Sequence, residues 1–426
     1  MKDIKLLKAW YVKTLKLPIV DPLSLADNED LALDSLDVTF LCNALERDFG
    51  CRIETISQMR KAFSSLSGLA NFIDETGDGL QKSEQPQARE HRMHNQYTIA
   101  SVSMTNAAGV AAVFRAIYGN DFPMQYVYHA DQIMSEIREG RLAASLALDT
   151  SGTPVGYVSA FKCAPNPRLW EGGNLLVVPD HGKDNLAWLL MRHYLQPEHL
   201  PDPFSDGTFG EAVCHHYFTQ LGCAKAGFSD CALALDQLDA SSFKEHRSDS
   251  DRVACLLQFL EYSEPQEPLY LPDRYATILR QLLTPLRARH FLPSLAPLPN
   301  AGETERKDDY YESAGTWRIS ISSIGNDWLG FLDGLLHEAR QRQVICLQIV
   351  LSTSLPYTGE AVELKRQRGF FLGGIFPRWF GSDGILMQQV LGKEPDYDAI
   401  KLYTSVAKEL LTFIRDDRKS LRASLK

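Results

Sequence analysis

The sequence has no apolar run near the roughly 18 residues that a membrane-spanning helix needs, and it carries no excess of positive charge. Lys and Arg total 44 against 54 Asp and Glu, a formal charge of −10. A phosphate backbone wants the opposite sign, so nucleic acid is not an expected partner, and neither is a membrane. No CxxC pair occurs among Cys42, Cys51, Cys163, Cys214, Cys223, Cys231, Cys255 and Cys346. Their scatter argues for reduced thiols in a cytoplasmic protein. The stretch MKDIKLLKAWYVKTLKLPIV sets a lysine every few residues where a signal peptide would need its apolar core. No tandem repeat of fixed period is visible. What is present is ordinary: 44% hydrophobic and 23% charged residues in 426, about three domains' worth of globular chain.

Polar stretches divide the chain. Residues 81–96, QKSEQPQAREHRMHNQ, have no apolar period and read as a tether. Residues 298–313, LPNAGETERKDDYYES, read as a mobile loop, and 269–283, LYLPDRYATILRQLL, as a helix with Pro272 near its start. The expected domains are 1–80, 97–265 and 266–426, with 81–96 as the linker.

In the first block, Ile4, Leu7, Tyr11 and Leu15 recur at helical spacing among lysines. A loop with Asp27, Glu29 and Asp30 follows. Leu36, Val38, Leu41 and Leu45 then form an apolar face, Asp34 or Ser35 is its N-cap, and Gly50 sits where a C-cap glycine would. Residues 64–75 form another helix through Leu66, Leu69, Phe72 and Ile73. DSL at 34–36, ALERDFGCRI after it and SSLSGLANFI at 64–73 resemble acyl carrier proteins in order and spacing over residues 1–80. The resemblance implies an all-α four-helix bundle in which Ser35 bears 4′-phosphopantetheine, attached by a phosphopantetheinyl transferase and charged by an acyl- or aminoacyl-loading enzyme. A helix start suits the phosphodiester, because unpaired N–H groups and the dipole face it. The block holds nine Lys/Arg and thirteen Asp/Glu. The acids gather at 27–37 and offer a docking face to basic partners.

The second block reads as strand 97–104, two helices (105–119 and 131–140), a hairpin of strands at 141–149 and 153–163, and strand–turn–helix over 169–195. Residues 210–237 read as a helix running to the turn AGF (226–228), followed by a strand. This order is similar to that of GNAT-type acyltransferases, as are the GxPVGYV segment at 152–158 and the GF dipeptide. The resemblance implies an α/β mixed sheet and an acyl transfer from a thioester to a small-molecule amine. It also implies a loop after the fourth strand whose N–H groups bind coenzyme A. VVPDHGKDNLA (177–187) offers Val178, Gly182, Asn185 and Ala187 for that loop. Gly182 stands where an Arg is usual and Asn185 where the first Gly is usual. Acetyl- or another acyl-coenzyme A is one donor. A tethered pantetheine, raised in local concentration, needs less of the phosphate cradle. Glu171, eight residues before Pro179, is the implied general base, needed because an ammonium has no lone pair with which to attack. The usual acid, a tyrosine one turn before the GF glycine, is replaced by Cys223. His215, His216 and Tyr217 are the alternatives, with His216 and Gln220 placed on one helix face.

The last block, 317–426, alternates strands and helices. The stripe Leu329, Leu332, Leu336 and Ala339 marks one helix, and 398–414 another, with Val406, Leu410 and Phe413 inside. GFFLGGIFPRW (369–379) again resembles the GNAT turn and penultimate strand, so the block is expected to be a degenerate second half. The leading expectation is a carrier-fused acyltransferase of specialised-metabolite biosynthesis. Decarboxylation of a malonyl thioester, and a non-catalytic carrier with a docking region, are the competing readings.

Overall fold

The computed structural model describes residues 4–15, 21–28, 31, 41, 44–45, 48–51, 58, 62–76, 96–120, 122, 124–181, 186–196, 205–242 and 251–424. They fall into two compact units, Met1–Gln96 and Tyr97–Lys426.

In the first unit the helices Ile4–Leu15 and Leu66–Thr76 form where the apolar spacing predicts. Leu7, Tyr11, Leu41, Leu45, Leu66, Leu69, Phe72 and Ile73 share one buried core. The indole of Trp10 donates to Asp48 at 2.7 Å, and Lys8 pairs with Asp27 at 2.5 Å. Gly50 has φ +69, the left-handed geometry that a C-cap glycine supplies. Ser35 lies outside the described residues.

The second unit is built on one twelve-stranded sheet. Its strands are β1 (Tyr97–Ser101), β2 (Leu142–Asp149), β3 (Pro154–Phe161), β4 (Leu169–Val177), β5 (Gly207–Val213), β6 (Ser229–Asp239) and β7 (Arg252–Glu261). After a short pair, β8 (Leu269–Leu271) and β9 (Phe291–Pro293), come β10 (Glu305–Tyr311), β11 (Thr316–Ser323), β12 (Cys346–Ser352), β13 (Phe371–Phe376) and β14 (Gly384–Val390). The spatial order is β1-β2-β3-β4-β5-β7-β6-β13-β14-β12-β11-β10. Helices Ala108–Tyr118 and Ala130–Arg138 close one face of the first half through Val110, Phe114 and Ile133 against Leu146 and Tyr157. The helix Leu186–Tyr194 lies on the other face, with Leu190 against Gly156.

The two halves repeat one pattern. β4 and β5 are parallel with the helix Leu186–Tyr194 between them, and β11 and β12 are parallel with the helix Trp328–Gln341 between them. Helices Phe218–Lys225 and Thr358–Gln367 then end alike. Gly227 has φ +90 and Gly369 φ +91, and Phe228 N–H and Phe370 N–H reach back to the carbonyls of Cys223 and Lys365 at 3.0 and 3.1 Å. Both following strands slip register at their third residue, Cys231 in one and Gly373 in the other. The strand pair that joins the halves is Gly374↔Ala232, two residues at the same place in the repeat. An antiparallel pair between equivalent residues puts a pseudo-twofold axis through that point. The duplication escapes a search for period because its two copies share register and turn geometry rather than residues. The boundary expected at 265/266 is therefore no break between compact bodies, since one sheet and one core run through it.

Several local expectations are corrected. Residues 210–225 are not one helix. Gly207–Val213 is a strand, and the helix starts only at Phe218. Thr208, Phe209 and Ala212 are all buried, and a strand covered on both faces shows no alternation to read. Leu269–Leu271 is a strand paired with β9, and helix begins at Ala276. Residues 305–311 are not a mobile loop but an edge strand on β11, polar because an exposed edge is protected by charge. The buried stripe of Trp328–Gln341 runs through Trp328, Leu332, Leu335, Leu336 and Ala339, leaving Leu329 exposed. The last helix spans Ser405–Ser424, with Leu410 buried and Val406 and Phe413 half-buried against the core.

A Cβ on Gly374 would stand 2.4 Å from the Cys231 carbonyl oxygen, at a φ of +131. Gly374→Ala is therefore expected to destabilise the chain by about 2 kcal/mol or more, read as a lower urea midpoint. Gly392→Ala, at a glycine of positive φ with open space around it, should cost less.

Candidate active site

Parallel strands that stay in register close the sheet. β11 and β12 do so from Thr316↔Cys346 to Ile321↔Leu351. β4 and β5 pair only from Leu169↔Gly207 to Glu171↔Phe209, then part. The result is a cleft that opens toward the C-terminal ends of both strands, with Glu171 at its apex. β4 also carries a bulge here, with register slipping between Tyr157 and Ser159 of β3, and Asn174 at φ +52. Gly172 and Gly173 on β4 lie under the rings of Tyr194 and Phe161, where a Cβ would stand 3.0 and 2.9 Å from ring carbons. A Cβ on Gly210 would lie 3.5 Å from the Gly172 carbonyl oxygen, so that carbonyl faces across the gap.

Glu171 shares its face of the sheet with a buried polar cluster drawn from both halves. The Cys163 thiol donates to Glu171 Oε2 at 3.0 Å. On β5, Glu211 accepts from Gln237 Nε2 at 2.6 Å and from Arg318 Nη2 at 2.6 Å. Arg318, on β11, also donates through Nε to Gln348 Oε1 at 2.7 Å, and its guanidinium lies 5.0 Å from the centre of the Phe376 ring. Desolvation is the first cause that raises the Glu171 carboxyl, the negative charge of Glu211 the second, and together they push it to about 8. Arg318 and the Cys163 hydrogen bond pull the other way. Burial and the neighbouring carboxylates likewise push the Cys163 thiol well up.

The other residues singled out from sequence flank the cleft rather than its apex. Val178 continues β4 and donates to the Val155 carbonyl at 2.9 Å. A 3-10 turn, Pro179–His181, follows, pinned by the Tyr97 hydroxyl to His181 Nδ1 at 2.9 Å. Gly182 and Asn185 lie outside the described residues. Ala187 is exposed in the first turn of Leu186–Tyr194. Across the opening, β5 runs on from Phe209 for about 13 Å, and His215 and His216 follow in a bend with ring centres 4.3 Å apart. Because the helix starts later, His216 and Gln220 share no helix face. Instead the Gln220 amide, fully buried, donates to the carbonyls of His216 at 3.3 Å and Lys401 at 2.9 Å. Tyr217 stacks loosely on Tyr403 at 6.2 Å. Val178 thus continues one strand of the cleft, while His216 and Tyr217 follow the other among contacts to Lys401 and Tyr403, and Glu171 lies between the strands.

Sequence reading missed Cys163, Glu211, Gln237, Arg318 and Gln348. One signal was available. Trp170-Glu171 and Trp317-Arg318 open equivalent strands, and each Trp lies under a cation, Lys162 at 4.7 Å and Arg342 at 4.8 Å.

No protein-family model and no curated protein matches the chain. Among solved structures it is similar to the spermidine/spermine N-acetyltransferase SpeG from Vibrio cholerae in complex with manganese ions, at 11% identity over 40% of this chain and 94% of that one, with a TM-score of 0.31. It is also similar to the ribosomal-protein-S18-alanine N-acetyltransferase from Escherichia coli, at 15% identity over 41% of this chain and 99% of that one, TM-score 0.31. An N-acetyltransferase from Staphylococcus aureus Mu50 gives 9% identity over 39% and 98%, TM-score 0.31. At these identities and scores nothing about substrate follows from them.

A raised carboxyl has a stability signature. The unfolded chain loses the Glu171 proton near 4.5, whereas the folded chain keeps it to about 8. The folded state binds the extra proton between those values, so stability falls as pH rises through that window. Glu171→Gln does not titrate. Its melting temperature relative to the natural protein should climb between pH 5 and pH 8, and a pH-independent difference would contradict the assignment.

Proposed function

We propose that residues 97–426 form an N-acyltransferase that uses the β4/β5 cleft to hold a pantetheine thioester beside Glu171. The observation that carries this reading is the parting of β4 from β5 directly after Glu171, with a desolvated carboxyl at its apex. An extended chain bearing amide groups fits such a gap. Unpaired strand edges offer donors and acceptors, as they do to any added strand. The thioester supplies an electrophilic carbonyl when bound. Glu171, as carboxylate, takes the proton that an ammonium must lose before its nitrogen attacks. The C–N bond forms and the C–S bond breaks. The second proton that the nitrogen sheds on becoming an amide passes to the departing thiolate, with His216 or Tyr217, beyond the end of β5, as its relay.

In the same proposal the donor arm is 4′-phosphopantetheine on Ser35, and residues 1–80 act as its carrier. The apolar core shared by Leu7, Leu41, Leu45, Leu66 and Phe72 supports a helical unit of that kind. Val178, Gly182, Asn185 and Ala187 are assigned to the phosphate end of the arm or of free acyl-coenzyme A. An acyl- or aminoacyl-loading enzyme charges the arm, and a small-molecule amine receives the acyl group.

Two measurements test this. Incubated with a phosphopantetheinyl transferase and coenzyme A, the full chain should gain one arm by intact mass, and Ser35→Ala should gain none. An arm on Ser35→Ala refutes the carrier site. With the arm acetylated and a panel of amines supplied, transfer should rise with pH through a limb near 8. Glu171→Gln should lower the rate roughly 100-fold or more and abolish that limb. A rate unchanged by Glu171→Gln removes it as base.

A further inference from the structure

The duplication pairs residues across the pseudo-twofold axis, and one such pair is chemically lopsided. Leu169↔Gly207 opens the β4/β5 ladder as Thr316↔Cys346 opens the β11/β12 ladder. On the partner strands, Phe209↔Phe259 corresponds to Gln348↔Gln388. Counting from these anchors, Trp170 matches Trp317 and Glu171 matches Arg318. The first half therefore has a carboxylate where the second has a guanidinium. The first half's strands part just beyond that position, while the second half's stay zipped through Ile321↔Leu351. A closed cleft has no use for a catalytic group at its apex, and Arg318 does not face such a cleft. It is 2% exposed and turned onto Glu211 and Gln348, with Gln237 bridging the two.

We propose that Arg318 is a positioning residue for the Glu171 site: the closed second half holds Glu211 through Arg318 and so fixes the charge that Glu171 meets. The inference rests on the reading of Glu171 as base. The groups that face Glu171 come from several elements. Cys163 follows β3, Glu211 lies on β5, and Arg318 on β11. Tyr311, at the end of β10, and Tyr194, from the helix on the opposite face, both feel its charge. Lys307 on β10 closes the group by donating to the Cys163 carbonyl. Arg318 and Glu211 act on Glu171 with opposite signs, and each is held by the other. Removing the cation leaves Glu211 to disfavour the Glu171 carboxylate alone. Removing Glu211 leaves the cation to favour it.

The test reads Glu171 ionisation without any substrate. Melting temperature is followed against pH for the full chain and for each variant, in each case with and without Glu171→Gln, and the difference curve gives the midpoint at which Glu171 loses its proton in the folded protein. Arg318→Gln should move that midpoint up and Glu211→Gln should move it down, each by on the order of one pH unit. Arg318→Lys, which keeps the charge, should restore most of the natural value. The alkaline limb of amine acylation should move in parallel. Midpoints that stay put in both Arg318→Gln and Glu211→Gln overturn the inference. If Arg318→Gln does not fold, Glu211→Gln and Arg318→Lys decide it: a downward shift in the first with little change in the second upholds the proposal, and no shift in the first overturns it. A movable midpoint with no matching limb in the rate overturns the role of Glu171 as base and leaves the electrostatic coupling standing. A flat difference curve in the natural protein overturns both.

Discussion

The second unit depends on how two half-sheets meet. β6 and β13 touch through the single pair Gly374↔Ala232, and only a residue without a side chain fits at the first of these positions. That close approach sets the pseudo-twofold axis. The axis in turn decides that β11 of one half presents Arg318 to β5 of the other. The same seam is tied by buried charges. Arg289 bridges Glu261 at 2.7 Å and Asp383 at 3.1 Å, all three almost fully buried, and Arg378 reaches Asp206 at 2.9 Å. Buried ion pairs of this kind add little net stability, because desolvation offsets most of the attraction. They do make a wrong alignment expensive, since a slipped register would strand a charge in the core. The seam is specified by what it would cost to break.

This arrangement explains why one half is open and the other shut. Each half has the same parallel pair flanked by the same helices. In the second half the ladder continues through Ile321↔Leu351, and Ile319, Ile321, Val350 and Leu351 fill both faces. In the first half Gly172 and Gly210 stand where the second has Ile319 and Ile349, and the ring of Tyr194 lies over Gly172 instead. The ladder stays closed where its own strands supply the packing. The second half has kept the scaffold and gained core, and with it the rigidity to hold Arg318 in place.

Much of this was legible in the sequence, for identifiable reasons. The helices with a clean apolar stripe, Leu66–Thr76 and Trp328–Gln341, are where periodicity puts them, although Trp328 and Leu335 rather than Leu329 complete the second. The two GF dipeptides marked both helix-to-strand turns, because a left-handed glycine after a helix leaves a residue-level trace. Glu171 was singled out because its strand position resembles one that holds a carboxylate in a known family, and the register places it where β4 and β5 part. β5 was lost because a strand buried on both faces has no alternation, and β10 because its exposed edge is charged like a loop. The cluster around Glu171 was illegible for a deeper reason. Cys163, Glu211, Gln237, Arg318 and Gln348 lie on five separate segments, and only a sheet that joins two copies of one pattern brings them together.

The chemistry follows from that joining. A lone carboxylate in a dry cleft would be raised by desolvation with no neighbouring charge to adjust it. One beside a free cation would be ionised but weakly basic. Here Glu171 sits beside a carboxylate and a guanidinium that are bonded to each other; burial first and Glu211 second outweigh the Cys163 hydrogen bond and Arg318, and the carboxyl is raised to about 8. Proton transfer is most efficient when the base's pKa lies near the working pH. A single polypeptide brings these charges together by pairing one half, with Glu171, to a second that has Arg318 at the equivalent position. The second copy is therefore part of the electrostatics of the first, and its loss of a cleft is what makes it rigid enough to serve.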